Sequence, residues 1–114
     1  MSADCIFCRI IAETIPARIV HRDDQVVAFD DLNPQAPTHI LIVPREHVAR
    51  ALDVKAEHGA VLARIFEVAG RLARERNLED GYRLVVNNGP QAGQTVYHLH
   101  FHLLGGRGMK WPPG

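Results

Sequence analysis

Val96-Tyr97-His98-Leu99-His100-Phe101-His102-Leu103-Leu104 alternates imidazoles with apolar side chains. Side chains on a β-strand point to opposite faces in turn. An extended segment over 96–104 therefore puts His98, His100 and His102 on one face. Leu99, Phe101 and Leu103 fall on the other and anchor the strand in a core. Same-face neighbours on a strand are roughly 6.6 Å apart, so three imidazoles stand in a row. Each neutral ring carries one donor and one acceptor. Crowding disfavours charging all three, which keeps at least one neutral near pH 7 as a base, ligand or nucleophile. Two chemistries use such a row: metal ligation, and attack of an imidazole on phosphorus with its neighbours donating to phosphate oxygens.

The segment before the histidines favours phosphate. Asn87-Asn88-Gly89-Pro90-Gln91-Ala92-Gly93-Gln94-Thr95 is a polar loop. Gly93 lets backbone N–H groups come close to an anion. Asn87, Gln94 and Thr95 add neutral donors.

Further out, residues 82–87 read as a strand and 39–43 as a buried strand stopped by Pro44. Residues 17–22 and 25–29 read as a hairpin turning at Asp23-Asp24. The stretch 30–39 holds two prolines and reads as a loop. Residues 4–12 read as a short apolar helix or turn, and 105–114 as an irregular tail. Residues 55–77 carry the one long helical pattern. Val61, Ile65, Val68 and Leu72 form one apolar row; Leu62, Phe66, Ala69 and Ala73 form a second beside it. So broad a stripe fits either a helix between the sheet and a second subunit or a helix deeply buried in a monomer. The elements predict an α+β fold with a mostly antiparallel, five-stranded sheet, one long helix and one short one.

Bulk composition agrees. The chain has 114 residues, 46% hydrophobic and 23% charged, which suits one domain over 1–114 and argues against disorder. Lys plus Arg equals Asp plus Glu at 13 each, so the basic excess expected for binding nucleic acid or an anionic membrane is missing. No apolar run is long enough for a membrane span, and the N-terminus does not read as a signal peptide. With two cysteines, a reducing cytoplasm is the expected location.

With these features in place, the chain resembles the histidine-triad superfamily. The resemblance rests on D-C-I-F-C-R-I-I (4–11), D-L-N-P-Q-A-P-T-H-I-L-I-V-P (31–44) and G-Q-T-V-Y-H-L-H-F-H-L-L-G-G-R (93–107). The terminal W-P-P-G is similar to the branch of histidine-triad nucleotide-binding proteins, the purine nucleoside phosphoramidases. The resemblance implies a homodimer with a continuous ten-stranded sheet, the 105–114 tail contributing to the dimer and the site. It also implies hydrolysis of nucleoside 5′-phosphoramidates, with no cofactor required. His100 would be the nucleophile that forms a nucleotidyl-histidine. His102 would contact phosphate, His98 would support the triad, and His39 would orient the site and help to move protons. Asn87, Gln94 and Thr95 would hold phosphate oxygens or the leaving group. Asp31 would accept the ribose hydroxyls, and Phe7, Ile10, Ile15, Phe29 and Leu32 would line the base pocket. Trp111 would approach the partner subunit's site.

Thr95 stands where Ser is common in this branch, and Asp30 where some relatives have His. Cys5-x-x-Cys8 has a metal-ligand spacing, and some members of the superfamily bind structural zinc through such a pair and two histidines, here His47 and His98. The alternative for the cysteines is a pair of small apolar residues on a buried helix face. His21 and His58 match no motif and read as surface positions. Two other functions compete: a purine nucleotide-binding regulatory module with incidental turnover, and a zinc protein whose histidine row is mainly a metal site.

Overall fold

A computed structural model describes residues 4–114. Residues 1–3, part of the N-terminus read above for a signal segment, lie outside that range. The elements are α1 (Ile6–Ile11), β1 (Ile19–Arg22), β2 (Val26–Asp30), β3 (Thr38–Pro44), α2 (Gly59–Glu75), β4 (Tyr82–Val86) and β5 (Phe101–Gly105). Short 3-10 turns lie at Ala51–Asp53, Ala56–His58 and Pro90–Ala92. The five strands form one sheet in the order β1-β2-β3-β5-β4, every neighbouring pair antiparallel.

β3 is central, and all seven of its residues are buried. That explains its unbroken apolar run: a strand covered on both faces has no solvent side for polar residues. Ile40 and Ile42 join Val26, Ala28 and Leu103 against Ile65, Val68, Ala69 and Leu72 of α2. Leu41 and Val43 join Val27 and Phe29 on the opposite face, against Phe7, Cys8, Ile10 and Ile11 of α1. The period-2 alternation thus sorts the sheet into an α2 side and an α1 side.

Two elements are shorter than expected. The long helix begins at Gly59 because Ala56–His58 is a 3-10 turn, in which His58 Nδ1 accepts the Lys55 N–H at 2.8 Å. The last strand begins at Phe101, not at Val96. Its neighbours run out there. Continuing the β3 register would set Leu99 opposite Pro44, which has no N–H, and on the other side β4 ends at Val86 before the loop turns at Gly89. Among the described residues, the backbone bond of 97–100 outside the ladders is Leu99 N–H to the Val48 carbonyl at 2.6 Å.

His21 and His58 are not surface positions. His58 is buried, its Nε2 3.4 Å from Glu46 Oε2. His21 Nε2 lies 2.6 Å from Asp23 Oδ2, and its Nδ1 meets Arg71 of α2. Asp23 organises this corner. Its Oδ1 accepts the Gln25 and Val26 N–H groups at 2.7 and 2.8 Å, and its Oδ2 accepts from Arg64 of α2 at 2.9 Å. Burial alone would raise its pKa; the bonds from His21, the two amides and Arg64 hold it well below the usual carboxylate range. Asp23→Asn is expected to lower unfolding free energy by about 2 kcal/mol at neutral pH. Because the native carboxyl is depressed, that advantage exists above the ordinary Asp pKa and fades as the carboxyl protonates in acid. Urea unfolding of both proteins from pH 7 downward checks it: the gap should narrow.

Candidate active site

The sheet brings His39 of β3 and His102 of β5 together diagonally, since the register pairs His39 with Leu104 and Leu41 with His102. Hydrogen bonds assign the ring protons. His39 Nδ1 accepts the Gln35 N–H at 3.0 Å, so the proton of a neutral His39 sits on Nε2. That Nε2–H faces His102 Nδ1 at 2.9 Å and Asp31 Oδ2 at 3.4 Å. His102 Nδ1 is then the acceptor, and its proton sits on Nε2. Among the described residues, His102 Nε2 is the buried side-chain nitrogen or oxygen without a hydrogen-bond partner. A buried unpaired N–H costs stability and calls for an explanation; a site built for an incoming oxygen acceptor supplies one.

His100 is held the opposite way round. Its Nδ1–H donates to the backbone carbonyl of His98 at 2.7 Å, which leaves a lone pair on Nε2. The His100 and His102 rings meet edge-on, centroids 5.0 Å apart, and the Phe7 ring stands edge-on to His100 at 5.1 Å. Although 96–100 lies outside the ladder, His98 and His100 still face the α1 side. Burial pushes the His100 pKa down, with the His98 carbonyl and Asp31 pulling the other way. Burial, then the neighbouring His100 and His39, takes His102 down to about 4. Burial also lowers His39 against the pull of Asp31. At neutral pH all three rings are uncharged, the form in which an imidazole is nucleophilic.

His100 and His102 open onto a pocket of about 280 Å³. Phe7, Ile10, Phe29 and Leu32, read above as base-pocket residues, line it together with Asp31 and Thr95; Ile6, Pro16, Ala17, Leu41 and Val96 also line it and were not foreseen. The unforeseen residues are ordinary core types whose position only the folded chain reveals. Ile15 packs against the α1-side core instead of lining the pocket. Leu32 is 94% exposed at the rim. Asp31 anchors its own turn by accepting the Asn33 N–H at 2.8 Å, and a carboxylate has lone pairs to spare for further donors. Asp30 does not leave a bare charge beside it: Arg18 and Arg76 reach it at 3.5 and 3.7 Å.

The polar loop divides in two. Continuing the β4–β5 register sets Asn87 opposite His100, on the face of His102. Gln94, however, is buried with its amide fully engaged: Oε1 accepts the Gly89 N–H at 2.8 Å, and Nε2 donates to the Ala49 and Val96 carbonyls at 2.9 and 3.1 Å. Gly93, at φ +90°, gives its N–H to Pro90 at 3.0 Å. Both residues shape the loop in this structure. Trp111 is 83% exposed, on a tail that Arg83 holds through the Lys110 carbonyl at 2.7 Å.

Among the described residues, two clusters could hold a metal ion. In Asp31, His39 and His102, the Gln35 N–H occupies His39 Nδ1 and puts the proton on Nε2, so that ring has no lone pair to share. Cys5, Cys8, His47 and His98 fit. His98 Nε2–H donates to the Pro44 carbonyl at 2.8 Å, which turns the Nδ1 lone pair toward the cysteines. Ligand atoms at ordinary Zn–S and Zn–N bond lengths stand about 3.3–3.8 Å apart across a tetrahedron. Here His98 Nδ1 lies 3.3 Å from Cys5 Sγ, 3.5 Å from Cys8 Sγ and 3.2 Å from His47 Nδ1, and Cys8 Sγ lies 3.4 Å from His47 Nδ1. Two sulfurs and two imidazoles suit zinc.

The match to known proteins agrees with this geometry. Residues 12–109 match the HIT domain. The chain belongs to the HIT domain family. It is similar to a purine nucleoside phosphoramidase of Escherichia coli (strain K12), 50% identical over 108 residues, covering 94% of this chain and 91% of that protein. It is also similar to a 14 kDa zinc-binding protein of Zea mays, 51% identical over 111 residues, covering 96% of this chain and 87% of that protein. Among solved structures, a HIT family hydrolase from Legionella pneumophila Philadelphia 1 superposes with a TM-score of 0.95 at 50% identity, covering 97% of this chain and all of that one. The HIT fold is thereby established for this chain, and the proteins it is similar to include a phosphoramidase and a HIT family hydrolase.

His102 carries a pH signature. An unfolded imidazole takes up a proton near 6.5, whereas folded His102 resists until about 4, so the unfolded state binds more protons between those values. Stability is expected to fall as pH drops from 6.5 toward 4, and less steeply in His102→Gln. Thermal melts across that interval check the difference in slope.

Proposed function

We propose that this HIT protein hydrolyses nucleoside 5′-phosphoramidates of the AMP-amine type, and the related anhydrides of aminoacyl-AMP type, by double displacement on His100. The observation that carries the reading is the pairing of proton positions: a free Nε2 lone pair on His100 beside a buried, unpaired Nε2–H on His102. His100 Nε2 attacks phosphorus; with an AMP-amine the P–N bond breaks and the amine departs with a proton, and with aminoacyl-AMP the P–O bond breaks and the carboxylate departs. His102 donates to a phosphate oxygen as negative charge gathers there. Water then attacks phosphorus, the P–Nε2 bond breaks, a proton is released, and His100 is regenerated with free AMP. The His39–His102 pair lies where protons can pass along the bonded nitrogens, and Asn87 and Thr95 add donors.

The base occupies the apolar pocket lined by Phe7, Ile10, Phe29 and Leu32, with the Phe7 and Phe29 rings packed edge-on at 5.3 Å in its wall. Asp31 takes the ribose hydroxyls. Zinc at Cys5, Cys8, His47 and His98 would fix the start of α1 against His98 and take no part in bond making. Both cysteines are free thiols, in keeping with a reducing, cytoplasmic setting. Among the described residues, no helix is long and apolar enough to cross a membrane.

We further infer that 1–114 acts as one HIT domain in a homodimer. Phe66 on α2 is 59% exposed beside Phe101, and β4 is an edge strand with Tyr82 and Val86 exposed. Ala69 and Ala73 of the same helix row are buried, but an exposed phenylalanine next to an open strand edge is a surface that a second copy would bury, joining two sheets into one of ten strands.

Steady-state hydrolysis of an adenosine 5′-phosphoramidate, native against His100→Ala, tests the activity. The native protein should release AMP, and the variant should lose about a thousandfold or more in kcat while still binding AMP. Equal, negligible rates with AMP binding intact would leave a nucleotide-binding module instead.

A further inference from the structure

The segment that carries His100 is poorly held by the sheet. β5 begins one residue later, and among the described residues the backbone bond from Leu99 to Val48 is the tie that 97–100 makes outside the ladders. What holds it besides is His98, which is fully buried and engaged at three points. Its Nε2–H bonds the Pro44 carbonyl at 2.8 Å; its Nδ1 enters the cysteine cluster; its own carbonyl accepts from His100 Nδ1 at 2.7 Å. A second link runs through α1: Phe7 sits in sequence between Cys5 and Cys8, and its ring touches His98 at 6.0 Å and His100 at 5.1 Å, edge-on in both cases.

We propose that metal occupancy of the Cys5–Cys8–His47–His98 cluster sets the ring orientation of His100, making His98 a positioning residue for the nucleophile. The inference rests on the reading of His100 as the nucleophile. His98 Nδ1 and His47 Nδ1 are 3.2 Å apart with both cysteine sulfurs near. Four electron-rich atoms converge, and a shared cation turns their repulsion into attraction. Without one, protons must fill the gap or the rings must separate. His98 cannot turn without disturbing its bond to Pro44 or its carbonyl. The carbonyl is what selects the Nδ1–H tautomer of His100; a shifted carbonyl frees the ring to rotate and to place its proton on Nε2, where it is no nucleophile. The His102 ring touches that of His100, but the tautomers of the His39–His102 pair are fixed inside the β3–β5 ladder by Gln35 and Asp31 and do not depend on the His98 carbonyl.

The test compares zinc-loaded protein with the same protein stripped by a chelator, metal content being measured in both. Imidazole ¹⁵N–¹H spectra report the tautomers directly, without turnover. Loaded protein should show His100 as a single Nδ1–H tautomer. Stripped, folded protein should show mixed His100 tautomers, unchanged His39 and His102 tautomers, and kcat for an adenosine phosphoramidate lower by about tenfold or more, with KM within about twofold. His47→Gln, at the half-buried ligand, supplies a metal-weakened chain for the same spectra should stripping unfold the native one. An unchanged His100 spectrum after metal loss overturns the proposal. So does equal mixing of the His39 and His102 tautomers, which would mean that the metal only stabilises the fold, and so does failure to take up zinc. If neither form turns over substrate, the phosphoramidase reading fails, and the His100 spectrum still decides the positioning proposal.

Discussion

One hydrogen bond decides what His100 can be. Its Nδ1–H points at the His98 carbonyl 2.7 Å away, and a carbonyl can only accept. That assignment puts the lone pair on Nε2, at the pocket. Had a donor stood in place of the carbonyl, Nε2 would carry the proton, and the ring would be an acid rather than a nucleophile. The neighbouring ring is assigned in the reverse sense by a backbone N–H, that of Gln35, working through His39. Two backbone groups thus give two adjacent imidazoles complementary proton positions, and burial keeps both uncharged.

The fold makes this arrangement affordable. α2 covers one face of the sheet, so the apolar half of each strand supplies the larger core. The other face can then give up part of its area to polar rings. α1 is only six residues long, yet it carries Phe7, Cys8 and Ile10 to that face. The same short helix therefore walls the pocket, touches His100 and, with its N-cap Cys5, brings both cysteines to the cluster that could hold a metal ion. The sheet's strand order places β3 against β5, which is what joins His39 to His102 across 63 positions of sequence.

Much of this was legible in the chain itself. Strict alternation over 98–104 marked the histidine face, because the strand period is set by backbone geometry alone. The run 39–43 read as a buried strand for the same reason. The Cys5-x-x-Cys8 spacing suggested a ligand pair, and the tetrad with His47 and His98 is assembled in space. Other features needed the folded chain. Nothing local announces that β5 starts at Phe101, since that follows from Pro44 lacking an N–H on the neighbouring strand. Gln94 looked like a phosphate donor because its side chain has donors; its partners, Gly89 and Ala49, are matters of loop closure. His58 looked exposed amid polar residues, yet a 3-10 turn tucks it under the start of α2. The signals that survived were periodic ones; those that failed were single polar residues whose surroundings come from distant segments.

The central claim is a covalent bond from phosphorus to His100 Nε2. The most direct measurement is rapid quenching of the native protein with an adenosine 5′-phosphoramidate into alkali, which preserves a phosphorus–imidazole bond, followed by peptide mass mapping. The account predicts an AMP adduct confined to His100 that forms and decays at rates consistent with turnover. Sustained turnover with no adduct, or an adduct on His98 or His102 in its place, would contradict it.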